Sequence, residues 1–249
     1  MKVIGVIPSR YNSTRFPGKP LAMIKGKTMI QRVCEQAWKS KLDTVVVATD
    51  DMRIAEEVLK FGGQYVLTDP NHPSGTDRCR EAMYMLDNAY DAVVNIQGDE
   101  PFIDPEQINQ VVDLISLNDT QIASLARRIS DEDELFSPNV VKVVMDNHDN
   151  ALYFSRNPIP YMRNIDPKDW LAKGVFYKHI GLYAYKSDIL CQIAKMEPTR
   201  LEIAESLEQL RWLENGLSIR MGITDIEHLS IDVPNDLFRA NDFAQSQNL

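Results

Sequence analysis

Four short runs rich in β-branched residues, KVIGVIP, TVVVATD, QYVLTD and DAVVNIQGD, recur early in the chain with amphipathic stretches between them. That alternation constrains the fold more than any other feature. Runs that are apolar on both faces fit buried parallel strands. The stretches between them carry helix signals. TMIQRVCEQAWKS follows an N-cap at Thr28, and MRIAEEVLKF follows Asp51 and stops at Gly62-Gly63. TDRCREAMYMLD leads into the fourth run. Strand, helix, strand, helix at this spacing predicts right-handed βαβ units and an α/β core with a parallel sheet.

The pattern changes near residue 137. VVKVVMD, the turn-like NHDN and ALYFSR predict a hairpin. A loop rich in Pro, charge and aromatics follows over 157–178, and its composition suits a segment that closes over a ligand. HIGLYAYKS predicts a strand, and AESLEQLRWLENG one amphipathic helix closed by Gly216. LSIRMGI predicts another strand, and VPNDLFRANDFAQ a final helix. The expectation is a single domain over 1–249 with an antiparallel-rich insertion at about 130–200, where a second substrate or a partner subunit is held.

Composition excludes some classes. A formal net charge of -9 argues against bulk binding of nucleic acid, which needs a basic face against phosphates. The cysteines, Cys34, Cys79 and Cys191, are odd in number and widely spaced, which reads as free thiols in a reducing compartment. The four histidines form no local metal motif. The apolar run at 3–7 is too short for a signal peptide, and no stretch reaches the roughly 18 apolar residues of a membrane span. These features predict a cytoplasmic chain with no membrane partner.

Against that acidic background, residues 6–21 (VIPSRYNSTRFPGKPL) hold Arg10, Arg15 and Lys19 and no acid. The loop is either a solvated turn or an anion cradle. It is neither a Walker A loop nor a GxGxxG fingerprint. Ser9, Ser13, Thr14, backbone N–H groups and the three cations can surround a polyphosphate, and clustered like charge without an acid disfavours the plain turn. Ligands of open parallel sheets bind beyond the carboxyl ends of the strands, where this loop and NIQGDEP both lie. Asp99 stands at such a strand end and has no capping duty, because Glu100 before Pro101 is steered to an extended conformation. Asp104 opens DPEQ, a capping arrangement with Pro105 at the first helical position, so its role is structural. Asp232 in SIDVPNDL is either a second metal ligand or part of a cap. Two carboxylates plus phosphate oxygens suit Mg2+. In SGTDR, Thr76 reads first as an N-cap, while Arg78 in the first helical turn opposes the helix dipole and suggests an anionic ligand nearby.

RYNSTRFPGKPL, VATDD, SGTDR, NIQGDEP, NVVKVV, ALYFSR, HIGLYAY, LEQLR and IDVPNDL occur in this order and span nearly the whole chain. As an ordered set they closely resemble the CMP-Kdo synthetases, the 3-deoxy-D-manno-octulosonate (Kdo) cytidylyltransferases of Gram-negative bacteria. The resemblance implies a Rossmann-like nucleotidyltransferase fold and a homodimer. It implies Mg2+-dependent transfer of CMP from CTP to the anomeric hydroxyl of Kdo, releasing pyrophosphate, for lipopolysaccharide synthesis. Matching positions puts Arg10, Ser13, Arg15 and Lys19 on the phosphate-binding loop, and Asp99 and Asp232 on the metal carboxylates. Ser74, Gly75, Thr76, Arg78 and Gln97 fall near the nucleotide, with Lys19, Arg10, Asp99 and Asp232 carrying the chemistry. Arg156, His179, Tyr183, Glu208 and Gln209 fall on segments facing the sugar acid. The family commonly has Thr where this chain has Val233, a departure that touches the helix cap more than the metal.

Plainer readings of the sugar-side residues remain open in the sequence. His179 is either a core histidine or a pocket residue, and Tyr183 shares its strand face. Glu208 and Gln209 belong by default to a solvated face opposite a Leu207, Leu210 and Leu213 stripe. A related acidic sugar, 8-amino-Kdo or a sialic acid, is the alternative substrate, and a non-catalytic nucleotide-binding protein on the same fold is the alternative class.

Overall fold

The computed structural model describes residues 1–12, 15–86, 89–227, 230–231 and 233–246. Its contacts divide the chain into two compact units, Met1–Val112 with Glu227–Leu249, and Asp113–Ile226. The stretch 130–200 falls inside the second.

The first unit is the βαβ core that the opening runs predict. Strand β1 (Val3–Ser9) leads through a small hairpin, β2 (Met23–Ile24) and β3 (Lys27–Thr28), into α1 (Met29–Ala37). Then come β4 (Thr44–Thr49), α2 (Met52–Lys60), β5 (Tyr65–Leu67), α3 (Gly75–Met85), β6 (Ala92–Asn95) and α4 (Pro105–Ile115). The order in the sheet is β6-β1-β4-β5, every pairing parallel. The β-branched runs are buried because helices cover both faces: Ile4, Val6, Ile7, Val47, Val93 and Val94 are fully enclosed.

Local signals explain the helix starts. Thr28 caps α1 by accepting from the Gln31 N–H, and Asp51 caps α2 through Arg53 N–H. Asp104 accepts from Glu106 N–H ahead of α4, in keeping with a structural role. The cap of α3 is Ser74, which accepts from Asp77 N–H at 3.2 Å. Thr76 lies inside the helix, so the expected Thr76 cap is corrected: both residues can cap, and the extended backbone falls at Ser74. The final helix, α10, spans Asp236–Ser246 and starts later than Pro234. Its Ala240 and Ala244 pack with Ile24, Met29, Phe102 and Ile231, which ties the chain's end to its beginning.

The second unit is mixed. It contains β7 (Ile122–Arg128), α5 (Glu132–Phe136), β8 (Lys142–Met145), β9 (Ala151–Ser155), α6 (Trp170–Lys173), β10 (Tyr177–Lys186) and α7 (Ser187–Ile193). It ends with α8 (Arg200–Glu205), α9 (Gln209–Glu214) and β11 (Ile219–Ile223). Strand β10 runs antiparallel to β7 and to β8, β8 runs antiparallel to β9, and β11 runs parallel to β7. The single helix expected from AESLEQLRWLENG is two. Ser206 takes the left-handed conformation at φ 52° and ends α8, so α9 begins afresh at Gln209. The restart rotates the buried face: Trp212 is enclosed, and Leu213 is only half-buried.

Candidate active site

The C-terminal ends of β1 and β6 and the start of α3 frame a cleft of about 230 Å³ in the first unit. Pro8, Ser9 and Arg10 come from the end of β1, and Gln97, Gly98 and Asp99 from the end of β6. Arg15, Lys19 and Pro20 come from the opening loop, and His72, Ser74, Gly75 and Arg78 from the approach to α3. Parallel strands collect loops at their carboxyl ends, which is why residues so distant in sequence converge.

Two glycines shape this cleft. Gly18, at φ 72°, donates its N–H to Tyr11 O at 2.8 Å and turns the chain into a short 3-10 turn that begins at Lys19. The opening loop therefore closes on itself and carries the lysine inward. At Gly98, a Cβ would stand 2.9 Å from Pro8 O and 2.9 Å from Ser9 Oγ. The two strand ends touch backbone to backbone there, which brings Asp99 alongside the β1 loop.

The Lys19 ammonium bonds the Asp99 carboxylate at 2.7 Å and Ile231 O at 2.9 Å. Asp99 O in turn accepts from Ile231 N–H at 3.0 Å, so the segment just before residue 232 is tied to this site. Burial, with the charge of the adjacent Asp99 adding to it, pushes the Glu100 carboxyl up to about 8. Arg10 and Arg15 are exposed around the cleft. With the first N–H groups of α3 beside Ser74 and Gly75, they make a cleft suited to an anion.

Arg78 also lines the cleft, but it is buried, bonds the Thr68 hydroxyl and faces Asp50 at 3.6 Å. The charge that opposes the helix dipole is balanced within the fold. Asp50, Gly98, Pro8 and His72 are cleft or support residues that sequence reasoning did not single out. His72 lies 2.5 Å from Glu81 Oε2. Ser13 and Asp232 lie outside the described residues.

A family model described as Cytidylyltransferase matches residues 4–220. The 3-deoxy-manno-octulosonate cytidylyltransferase of Cytophaga hutchinsonii is 54% identical over 241 residues, 96% of each chain. The corresponding protein of Bacteroides thetaiotaomicron is 51% identical over 251 residues, 100% of each. A solved structure of CMP:2-keto-3-deoxy-manno-octonic acid synthetase complexed with CTP has a TM-score of 0.92 to this chain at 39% identity, with both chains covered in full. The chain belongs to the 3-deoxy-manno-octulosonate cytidylyltransferase family. It is thus a nucleotidyltransferase, and the α/β fold with a mostly parallel sheet and antiparallel strands is that of its structural neighbours.

The donor set of this cytidylyltransferase suits a hard divalent cation. Among the described residues no three His, Cys, Asp or Glu side chains gather to hold a metal. Asp99 offers a partly exposed carboxylate in a cleft lined by Arg10, Arg15 and Lys19. Such a cation would take its remaining oxygens from phosphate and water, the habit of Mg2+.

The second unit of the cytidylyltransferase brings together several of the residues expected to face the sugar acid. On a regular strand, residues four apart stand about 13 Å apart. A bulge between Ile180 and Tyr183 shortens that span, and the His179 and Tyr183 rings lie 5.2 Å apart. Tyr183 meets Trp212 edge-on at 5.1 Å, and Phe154 meets His179 at 5.0 Å. Burial holds the Tyr183 phenol well above its ordinary range, and the Glu208 carboxylate adds to the shift. Glu208 therefore acts electrostatically on Tyr183. Gln209 is buried, which corrects the expectation of a solvated face for it.

Arg156 is placed differently. Its guanidinium donates to Glu205 O at 2.7 Å, Pro138 O at 3.0 Å and Ser206 O at 3.3 Å. It satisfies carbonyls at the end of α8 and braces the turn that leads to Glu208. No helix among the described residues is long and apolar enough to cross a membrane.

Proposed function

We propose that this cytidylyltransferase transfers CMP from CTP to the anomeric hydroxyl of 3-deoxy-D-manno-octulosonate and releases pyrophosphate, an activation step for lipopolysaccharide synthesis. One observation carries the reading. A cleft combining Arg10, Arg15, Lys19, the start of α3 and Asp99 stands in a chain 39% identical, over its full length, to a synthetase solved with CTP. The triphosphate lies along the Arg10 to Lys19 loop, with Ser13, Ser74, Gly75, Thr76 and Gln97 contributing to nucleotide binding and Arg78 supporting the cleft wall. Lys19 and Arg10 neutralise charge on the leaving pyrophosphate. Phosphoryl transfer depends mainly on positioning and charge neutralisation, and a cationic cradle supplies both.

Mg2+ would be held by Asp99 and Asp232, and when bound it neutralises phosphate charge and lowers the pKa of the attacking hydroxyl. Lys19 must share Asp99 or exchange it for phosphate as the nucleotide enters. His179, Tyr183, Glu208 and Gln209 bind the sugar acid, and Arg156 holds the turn that presents them. The 130–200 region serves both sugar binding and pairing with a second copy of the chain.

The test is pyrophosphate release from CTP and Mg2+ with candidate sugar acids. Release with Kdo and not with 8-amino-Kdo or a sialic acid is expected. Release only with another sugar would replace the substrate, and CTP binding with no release from any sugar would make the chain a binding protein.

A further inference from the structure

Ser124, on β7, is fully buried, and its Oγ lies 2.9 Å from Leu182 O, 3.1 Å from Ile180 O and 3.0 Å from His179 Nε2. A serine hydroxyl has one hydrogen to give and lone pairs to receive. The two carbonyls can only accept. Ile180 stands just before the β10 bulge and Leu182 within it, and both carbonyls draw on the one Ser124 hydrogen. A bare Nε2 would make a third acceptor competing for that one hydrogen, with its lone pair facing those of the serine oxygen. An Nε2 that carries hydrogen removes the conflict, because it donates to Ser124 Oγ.

We propose that Ser124 is a positioning residue that fixes the neutral His179 ring as the Nε2–H tautomer, so that Nδ1 is the ring's acceptor. Any group facing Nδ1 must then donate. On the reading that His179 binds the sugar acid, on which this part rests, the ligand group that meets it is a hydroxyl and not the carboxylate. The serine thus links the bulge that brings His179 and Tyr183 together to the polarity the imidazole presents.

Long-range 1H–15N correlation spectra of the full chain, taken at the high-pH limit of the ring's titration, decide the point. A His179→Gln variant identifies the His179 signals by their loss. The expected result is a pyrrole-type Nε2 and a pyridine-type Nδ1. A hydrogen on Nδ1 instead would overturn the proposal in the unmodified protein, whether or not any variant folds. In Ser124→Ala the preference is expected to relax toward a mixture of tautomers, with KM for the sugar acid rising about tenfold, the scale of one hydrogen bond, and kcat changing less. An unchanged tautomer in that variant would remove Ser124 from the account. Addition of Kdo separates the two readings. His179 signals that stay put would end the ligand part while leaving the tautomer assignment intact.

Discussion

Asp99 and Gly98 are adjacent, yet their substitutions should fail in different ways. Asp99→Asn keeps the shape of the side chain and should leave thermal unfolding near that of the parent while removing nearly all turnover. A variant that matches the parent rate at limiting Mg2+ would refute the metal role. Gly98→Ala places a methyl group 2.9 Å from the carbonyl of Pro8, and backbone cannot swing aside as a side chain can. The expected cost is about 1–3 kcal/mol, read as a lowered denaturant midpoint with an unchanged slope. Of this pair only Asp99 was legible in the sequence, because an acid at a strand end before an X-Pro step has few other duties. Gly98 reads as one more turn glycine until Pro8 is found against it. The cations of the opening loop were legible because nothing acidic dilutes them. The place of Arg78 on the helix suggested a ligand, and it does line the cleft, but the Asp50 that balances it lies in the turn after β4 and could not be read beside it.

At the scale of elements, β-branched runs announced β1, β4, β5 and β6 because burial on both faces leaves no room for polar alternation. Strand β7 (IASLARR) was not foreseen, since small residues and two arginines blur its pattern. The break at Ser206 is likewise hidden, because a left-handed residue is expected to be Gly or Asn and the apolar spacing runs on through it. What holds this turn is tertiary. Lys142, fully buried on β8, donates to Ser137 O at 2.8 Å, Val140 O at 2.6 Å and Arg156 O at 2.5 Å, and Arg156 braces Glu205 and Ser206 in turn. Desolvation lowers the Lys142 pKa, yet three carbonyls keep the ammonium solvated by protein. Lys142→Met keeps the bulk and strands these acceptors, and should cost about 1–3 kcal/mol or more, measured by chemical denaturation. It should also weaken sugar binding more than CTP binding, because the braced turn leads to Glu208.

For the whole molecule, light scattering coupled to size exclusion should give twice the mass of one chain, and a monomer at micromolar concentration would rule out the proposed pairing. The two units also differ in how the chain supplies them. The second is one uninterrupted stretch, Asp113–Ile226, whereas the first needs Glu227–Leu249 as well as Met1–Val112. Helix α10 fills part of the first unit's core, against Ile24, Met29 and Phe102. A ribosome makes the chain from one end, so the strands and loop that form the cleft emerge before the second unit and are completed after it. The β1 to β6 core waits for its closing helix throughout, whereas the later-made unit has every residue it needs once Ile226 is added. Newly made protein is thus most exposed to aggregation or proteolysis through its earliest residues, and damage to the last turns would be felt at the opposite end of the sequence.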